Sequence, residues 1–480
     1  MGAPLVVGVD SSTQSVKVEA RRLDTGDVVA VGSARHPATT PPVSEQDPNA
    51  WWTALVEACA ARGECRRDVV AIAVAGQQHG LVLLDEGGVP LRPAKLWNDT
   101  TSAPQAERLV TALGAERWAA RIGSVPVASF TITKLAWVAE HEPDVIARTA
   151  RVMLPHDHLT WRLTGEHVTD RGDASGSGWF DAATGTVDLE LLAMATGADW
   201  SGRVPTVLDA TVAAGTLAEG AAVELGLPSG IVVGPGTGDN MGAALGLGLR
   251  AGDVAISLGT SGTAFAVSAT PTRDASGAVA GFASASGEFL PLVCTLNATK
   301  VTDTVARWLG TDAAGLARLA LDAAPSPGDV VLVPYFDGER TPNLPDATGT
   351  FVGLTNVTTR EQLALAAHDG VLCGLLDGVD ALRSAGASVN GRIFLVGGGA
   401  RSEAYRRRLA ELAGRPVTVP DTDETVATGA AVQAAVVTGS GSFEAVAQRW
   451  ACGRGTDVEP LVDATERRAA YAAARVSRRP

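Results

Sequence analysis

Two stretches far apart in the chain read alike: "LVVGVDSSTQSVKVEA", starting at Leu5, and "GDVAISLGTSGTAFAVS", starting at Gly252. Each has an apolar run of strand type, a turn of Gly, Ser and Thr, and a second strand-like run. That is a β-hairpin with hydroxyls and backbone N–H groups at its tip. Turns of this composition are common in any sheet protein, so one alone carries little. Two of them, about 250 residues apart and each followed by alternating strand and helix patterns, predict two related domains that each open on a hairpin.

The patterns that follow support an α/β architecture. In "SEQDPNAWWTALVEACAARG", Asp47 has the chemistry of an N-cap and Pro48 suits the first helical position. Trp51, Leu55, Ala58 and Cys59 then fall on one helical face. "DVVAIAVAGQQHGLVLLD" reads as strand, turn and strand, while "LVTALGAERWAARIG" and "FTITKLAWVAEHEPDVIAR" read as helices. In the second half, "RIFLVGGGARSEAYRRRLAELAG" reads as strand, glycine turn and helix. "PVTVP" is a strand and "DETVATGAAVQAAVVTG" a small-residue helix. The expected division is residues 1–250, 251–440 and a polar, alanine-rich helical tail over 441–480, with the boundary near Arg250–Asp253.

Composition removes several function classes. With 53 acids against 39 bases the net charge is -14, whereas a nucleic-acid binder presents a basic face. Hydrophobic residues make up 46% of the 480, enough for large packed cores. The five cysteines (Cys59, Cys65, Cys294, Cys373, Cys452) form no C-x-x-C, so reduced thiols in a cytoplasmic protein are expected. "MGAPLVVGVD" lacks the basic region of a signal peptide.

Familiar catalytic motifs are missing as well. None of the four lysines (Lys17, Lys95, Lys134, Lys300) follows a glycine, so no Walker A loop exists. There is no H-R-D with D-F-G and no G-x-S-x-G. "HDH" at 156–158 has no further His or Cys at ligand spacing and is read as structural. What remains is a pattern for handling phosphate. Ser11, Ser12 and Thr13 follow Asp10 at a strand end; Gly259, Thr260 and Ser261 sit at the second hairpin tip; Gly397, Gly398 and Gly399 end another strand before a helix. Small residues of this kind expose backbone N–H groups to phosphate oxygens. Asp10 suits Mg2+ held through water, because Mg2+ keeps much of its hydration shell. In "GPGTGDNMGAALG", Asp239 is either the cap of the following helix or a reactive carboxylate.

Together these segments resemble the FGGY carbohydrate kinase family, over about residues 5–438. "SFTITKLAWVAEH" carries one family signature at Ser129, Thr131, Lys134, Leu135, Trp137 and His141. "GTFVGLTNVTTREQLALAAHDG" carries a second, with His368 where an apolar residue is usual. Within the family, "GQQHG", "LWND" and "DGERTP" are most similar to members that phosphorylate D-xylulose. Gln78 stands where many of them have Met, and Ser12 where a glycine is common in the first phosphate turn.

The resemblance implies an actin-like (ribonuclease H-like) ATPase fold of two domains with the active site in the cleft between them. It implies transfer of the γ-phosphoryl group of ATP, with Mg2+, to O5 of D-xylulose. Asp239 is then the catalytic base, with an ordinary carboxylate pKa near ~4, and Asp10 serves the metal. Gln78, His79 and Asn240 are expected on the sugar, and Trp97 and Asp99 either on the sugar or in packing and a turn. Ser11, Ser12, Thr13, Gly259, Thr260, Ser261, Gly397, Gly398 and Gly399 are expected at ATP. Arg340 is expected to stabilise its loop. The partners are small molecules, without nucleic acid or membrane, and a homodimer is left open. A kinase for ribulose, gluconate or glycerol, or a sugar sensor without activity, stays open at this point.

Overall fold

The computed structural model describes residues 2–61, 67–323 and 330–476. The contacts divide them into two compact units, and the chain passes between the units several times. The first comprises Met1–Leu249, Ala269–Leu290 and Glu424–Gly453; the second comprises Arg250–Ser268, Pro291–Asp423 and the residues from Arg454.

The first unit is built on a sheet whose centre is β1 (Leu5–Ser11), β2 (Ser15–Arg22), β3 (Val28–Arg35) and β4 (Val69–Gly76). β1 and β2 form the expected hairpin, and β4 lies parallel to β1 on its other side. β5 (Val232–Val233) and β6 (Thr237–Gly238) each pair parallel to β4. All seven residues of β1 are buried, which a strand achieves only when both faces of its sheet are covered. Alternation sorts the side chains. Val7 and Val9 join a core with Trp51, Leu55, Ala58 and Cys59 of the helix Pro48–Ala61. Val6 joins a second core with Ala431, Val432 and Ala435 of the helix Thr425–Val437. The Asp47 carboxylate accepts the Asn49 N–H at 2.9 Å, at the helix start where the sequence placed its cap.

The Thr425–Val437 helix also crosses the helix Asp239–Gly246 at backbone contact. A Cβ on Gly429 would stand 1.8 Å from the Gly242 carbonyl oxygen, and one on Gly246 would stand 1.9 Å from that of Thr425. No side chain fits there, so glycine at the crossing is a condition of this packing.

The second unit repeats the plan. Val254–Leu258 and Gly262–Ala266 form the second hairpin, and Ile393–Val396 pairs parallel to the first of these strands. Phe289–Thr295 extends the sheet beyond the hairpin, and Val417–Pro420 extends it beyond Ile393–Val396. The antiparallel hairpin with a parallel neighbour thus recurs, which accounts for the two similar stretches of sequence. The long helix Arg360–Ser384 opens with a capping box between Thr359 and Gln362. His368, the departure from the second signature, is buried on this helix with Nδ1 2.9 Å from the Ala364 carbonyl and its ring against Tyr405.

Sequence order and packing diverge at one place. The Thr425–Val437 helix follows the second unit's strands, yet it buries its small residues in the first unit. Its small and apolar residues run all round the helix and give no single face to read; the partners that accept it include the glycines and alanines of β1, β4 and the 239–246 helix. The tail, expected to be helical, has the helices Phe443–Arg449 and Thr465–Val476. It also has a strand, Gly455–Val458, that pairs with Val417–Pro420. No described helix is long and apolar enough to cross a membrane. Cys59, Cys294, Cys373 and Cys452 are unbridged, and Cys65 lies outside the described residues.

The helix crossing makes a direct prediction. Gly429→Ala is expected to destabilise the protein by about 1–3 kcal/mol in urea unfolding. Gly220→Ala, where an added Cβ meets nothing within 4 Å, is expected to leave stability unchanged or raise it.

Candidate active site

Parallel pairing brings the sequence candidates of the first unit to one place. Asp10 lies opposite Ala75 and Ser11 opposite Gly76 across β1 and β4; Gly238 of β6 lies opposite Gly76 on the other side. The carboxyl ends of three adjacent strands therefore deliver Asp10, Gln78 with His79, and Asp239 with Asn240. Ligands in open α/β sheets bind at such ends.

Asp239 is the first residue of its helix. The N-cap is Gly238, and no side chain caps that end, so the cap role weighed for Asp239 is not one it performs. Its Oδ1 accepts from the Asn240 N–H at 2.8 Å and from Asn240 Nδ2 at 3.0 Å. Asn240 Nδ2 also donates to Gln78 Oε1 at 2.7 Å. These bonds tie the acid to the 77–79 turn. The pKa of Asp239 is pushed up to about 7, first by burial and then by the charges of Asp10 and Asp173. The ordinary value expected from the sequence is thereby corrected: the glycine-rich turn supplies no cation, and two further carboxylates face the same space.

Asp10 is buried, and its Oδ1 has no hydrogen-bond partner. Burial lifts its pKa to about 6, against the Lys17 charge and a Ser12 hydrogen bond. No group of three or more His, Cys, Asp or Glu able to hold a metal exists among the described residues. A lone buried carboxylate oxygen without a partner suits a cation that keeps its own water shell, and Asp10 fits Mg2+ in that sense.

The 11–13 turn is fastened from outside. Ser12 N–H donates to Ser15 O at 3.1 Å, and His36 Nδ1 lies 2.8 Å from Ser12 O. Gln46 Nε2 donates to Thr13 O at 3.0 Å, and Trp97 Nε1 to Thr13 Oγ1 at 2.9 Å. Trp97 is thus brought to the first phosphate turn, with 40% of its surface exposed. Asp99, the other residue of "LWND" with two expected roles, is fully buried and engaged by its own loop. It accepts from the Ser44 and Thr101 N–H groups and faces Lys95 Nζ at 3.3 Å. Burial raises its pKa, but Thr101, Ser44 and Lys95 together hold it below the usual range.

His79 has a left-handed backbone, φ +64°, unusual for a residue with a side chain. A dense shell holds it there. Thr131 Oγ1 donates to the His79 carbonyl at 3.2 Å, and the Phe130 ring stacks on the imidazole at 5.3 Å. His79 Nδ1 lies 2.9 Å from Gly176 O; as donor there it leaves the lone pair on Nε2. Lys134 Nζ donates to the carbonyls of Ala128, Ser129 and Phe130, fixing the segment that carries Phe130. The first signature thus acts on His79 from behind.

In the second unit the two remaining phosphate candidates are neighbours. The 259–261 turn follows Leu258, and Gly397–Gly399 follow the parallel strand beside it. Cβ atoms on Gly397 and Gly399 would each stand 2.7 Å from Leu258 atoms. Thr299 N–H and Oγ1 both donate to Gly259 O, at 3.0 and 2.9 Å. Arg340 donates its N–H to Glu339 Oε1, and Glu339 also accepts from Leu296 N–H and Asn297 Nδ2.

Two further buried acids carry no motif in the sequence. Asp170 Oδ2 accepts from Thr237 Oγ1 at 2.8 Å, two residues before Asp239. Asp173 sits behind Gln78 and His79. Their only signal was "TDRGDASG", a short polar run between elements.

The N-terminal domain profile of the FGGY family of carbohydrate kinases matches residues 5–246, and the C-terminal domain profile matches 254–438. The chain belongs to the FGGY family of carbohydrate kinases. It is 50% identical to the xylulose kinase of Streptomyces coelicolor, over 97% of this chain and 93% of that one. It is 36% identical to the xylulose kinase of Escherichia coli, over 86% and 85%. Among solved structures, the xylulose kinase of Bifidobacterium adolescentis superposes with a TM-score of 0.88 at 44% identity, covering 98% of this chain and 99% of that one.

The shifted acid predicts a pH-dependent stability. A carboxyl whose folded pKa lies above its unfolded value stabilises the fold at low pH, and that contribution is lost as pH rises through the folded value. Between about pH 4 and 7 the ligand-free protein therefore acquires a cost that Asp239→Asn lacks. The variant is expected to gain up to about 4 kcal/mol over wild type at pH 8, with little difference near pH 4, in thermal unfolding.

Proposed function

We propose that this chain transfers the γ-phosphoryl group of ATP to O5 of D-xylulose, with Asp239 as general base. The observation that carries the reading is the Asp239–Asn240–Gln78 hydrogen-bond chain beside His79 and Asp10 at one set of strand ends. Sugar kinase relatives at 50% and 36% identity support the substrate class.

In this reading His79 and Asn240 bind the sugar, and Gln78 orients Asn240 through its Oε1. Asp239 takes the proton of the attacking hydroxyl as the new O–P bond forms and the bond to ADP breaks. A pKa of about 7 suits that task, since a base works best when its pKa lies near the operating pH. The turns at 11–13, 259–261 and 397–399 present N–H and hydroxyl donors to phosphate oxygens. Asp10 would hold Mg2+ through water, and the ion would supply positive charge against the phosphates. Trp97 steadies the 11–13 turn through Thr13. A cytoplasmic location agrees with a reaction that draws on ATP.

Three experiments test this. In steady-state kinetics over D-xylulose, D- and L-ribulose, gluconate and glycerol, D-xylulose is expected to have the highest kcat/KM. A tenfold lead by another compound overturns the substrate. Asp239→Asn is expected to lower kcat by about 10²–10⁴-fold, the usual worth of a general base, with both KM values little changed. Retention of more than about a tenth of wild-type kcat overturns the base. Asp10→Asn is expected to show a raised Mg2+ requirement that added Mg2+ relieves, and added Mg2+ is expected to do nothing for Asp239→Asn.

A further inference from the structure

"HDH" at 156–158 fits no metal spacing and takes no part in the transfer itself, yet its two histidines lie in opposite surroundings. The ring of His158 packs beside Trp51 and Trp161. Burial drives its pKa down to about 3, so it is neutral. His156 is also fully buried, but it faces carboxylates on three sides. Its Nδ1 is hydrogen-bonded to Asp173 Oδ2 at 2.9 Å. Its Nε2 stands 3.1 Å from Asp157 Oδ1 and 3.6 Å from Asp170 Oδ1, close in charge though not in hydrogen-bonding geometry. Asp157 comes from the same helix, Pro155–Thr164; Asp170 ends the strand Val168–Asp170; Asp173 lies in the short helix after it. β4 and the turn before Asp239 meet the ring with glycine. A Cβ on Gly236 would stand 2.4 Å from His156 Cδ2, and one on Gly76 would stand 3.0 Å from its Cβ. No Lys or Arg among the described residues pairs with these three acids.

Burial disfavours a charged imidazole, and it disfavours three charged carboxylates more. The acids overcome the burial cost on His156 and raise its pKa to about 9; the imidazolium in turn pulls the raised pKa values of Asp170 and Asp173 back down. Both acids reach the reaction site. Asp170 accepts from Thr237 in the turn that presents Asp239. Asp173 faces Asp239 closely enough that its charge helps to raise that acid's pKa.

We infer that His156, as an imidazolium among Asp157, Asp170 and Asp173, is a positioning residue for phosphoryl transfer: it supplies the countercharge that holds the 237–240 turn in place and keeps Asp239 ready to take a proton. The inference rests on the reading of Asp239 as base. With a neutral residue at 156, the charge of Asp173 is no longer offset and Asp239 holds its proton to higher pH.

The test compares His156→Gln, neutral and of similar length, with His156→Lys, which restores a cation. The kcat and KM of each are measured from pH 6 to 9. His156→Gln is expected to lose about tenfold in kcat at pH 7, with KM for MgATP within twofold. Its acid limb is expected to move up by about one pH unit, equivalent to tenfold in proton affinity, so the loss shrinks toward pH 9. His156→Lys is expected to recover most of the rate. An equal loss at every pH, with lysine no better than glutamine, overturns the inference.

The wild-type enzyme gives a reading that does not depend on the variants folding. With 15N-labelled histidine, one imidazolium is expected to persist at pH 8, and a spectrum in which every imidazole is neutral there overturns the inference. An Asp239→Asn enzyme that keeps its rate removes the base reading without altering the charge state of the ring, so the two failures are distinguishable.

Discussion

The feature on which the site depends is repulsion between carboxylates that the strand ends force together. Asp10 and Asp239 arrive from β1 and β6 on either side of β4, and Asp173 lies behind them. Burial and the charges of Asp10 and Asp173 raise the affinity of Asp239 for its proton, and the low polarity of a sheet buried on both faces strengthens the effect. Cations are scarce here. Lys17 pairs with Glu424 and only partly offsets Asp10. His156 serves the deeper acids. The arrangement therefore has a place for positive charge brought by a substrate complex.

The residues around His79 hold it in one conformation without touching a substrate themselves. The left-handed backbone of His79 is a strained conformation for a residue with a Cβ. Phe130, Thr131, Phe282 and the Gly176 carbonyl each constrain it. Lys134 has its ammonium among backbone carbonyls rather than at a phosphate. A residue held this way presents its ring at a fixed angle, which positioning in catalysis requires.

Much of this was legible in the chain. The hairpins at Leu5 and Val254, the Asp47–Pro48 helix start and the Gly397–Gly399 turn all depend on neighbours in sequence, and local chemistry reported them. The family resemblance placed Asp10, Gln78, His79 and Asp239, which the parallel register then drew together. What stayed hidden depends on contacts across the chain. The pKa of Asp239 is raised by burial and by the charges of Asp10 and Asp173, 229 and 66 residues away. The charge on His156 depends on three acids whose spacing matches no motif. The helix Thr425–Val437 has no polar face to orient it, so only the Cβ-free surface it lands on reveals where it packs.

That helix has a consequence for how the protein comes into being. Val6 leaves the ribosome about 425 residues before its packing partners Ala431 and Val432 are made. At about 5–20 residues per second, the hydrophobic face of β1 waits roughly 20 to 85 s for its cover. The second unit's strands at 254–258, 262–266 and 393–396 are all made during that interval. A nascent chain in this state carries an exposed valine- and alanine-rich sheet face, the kind of surface that chaperones recognise, and a ribosome that stops before Ala431 releases a first unit with one side of its sheet bare.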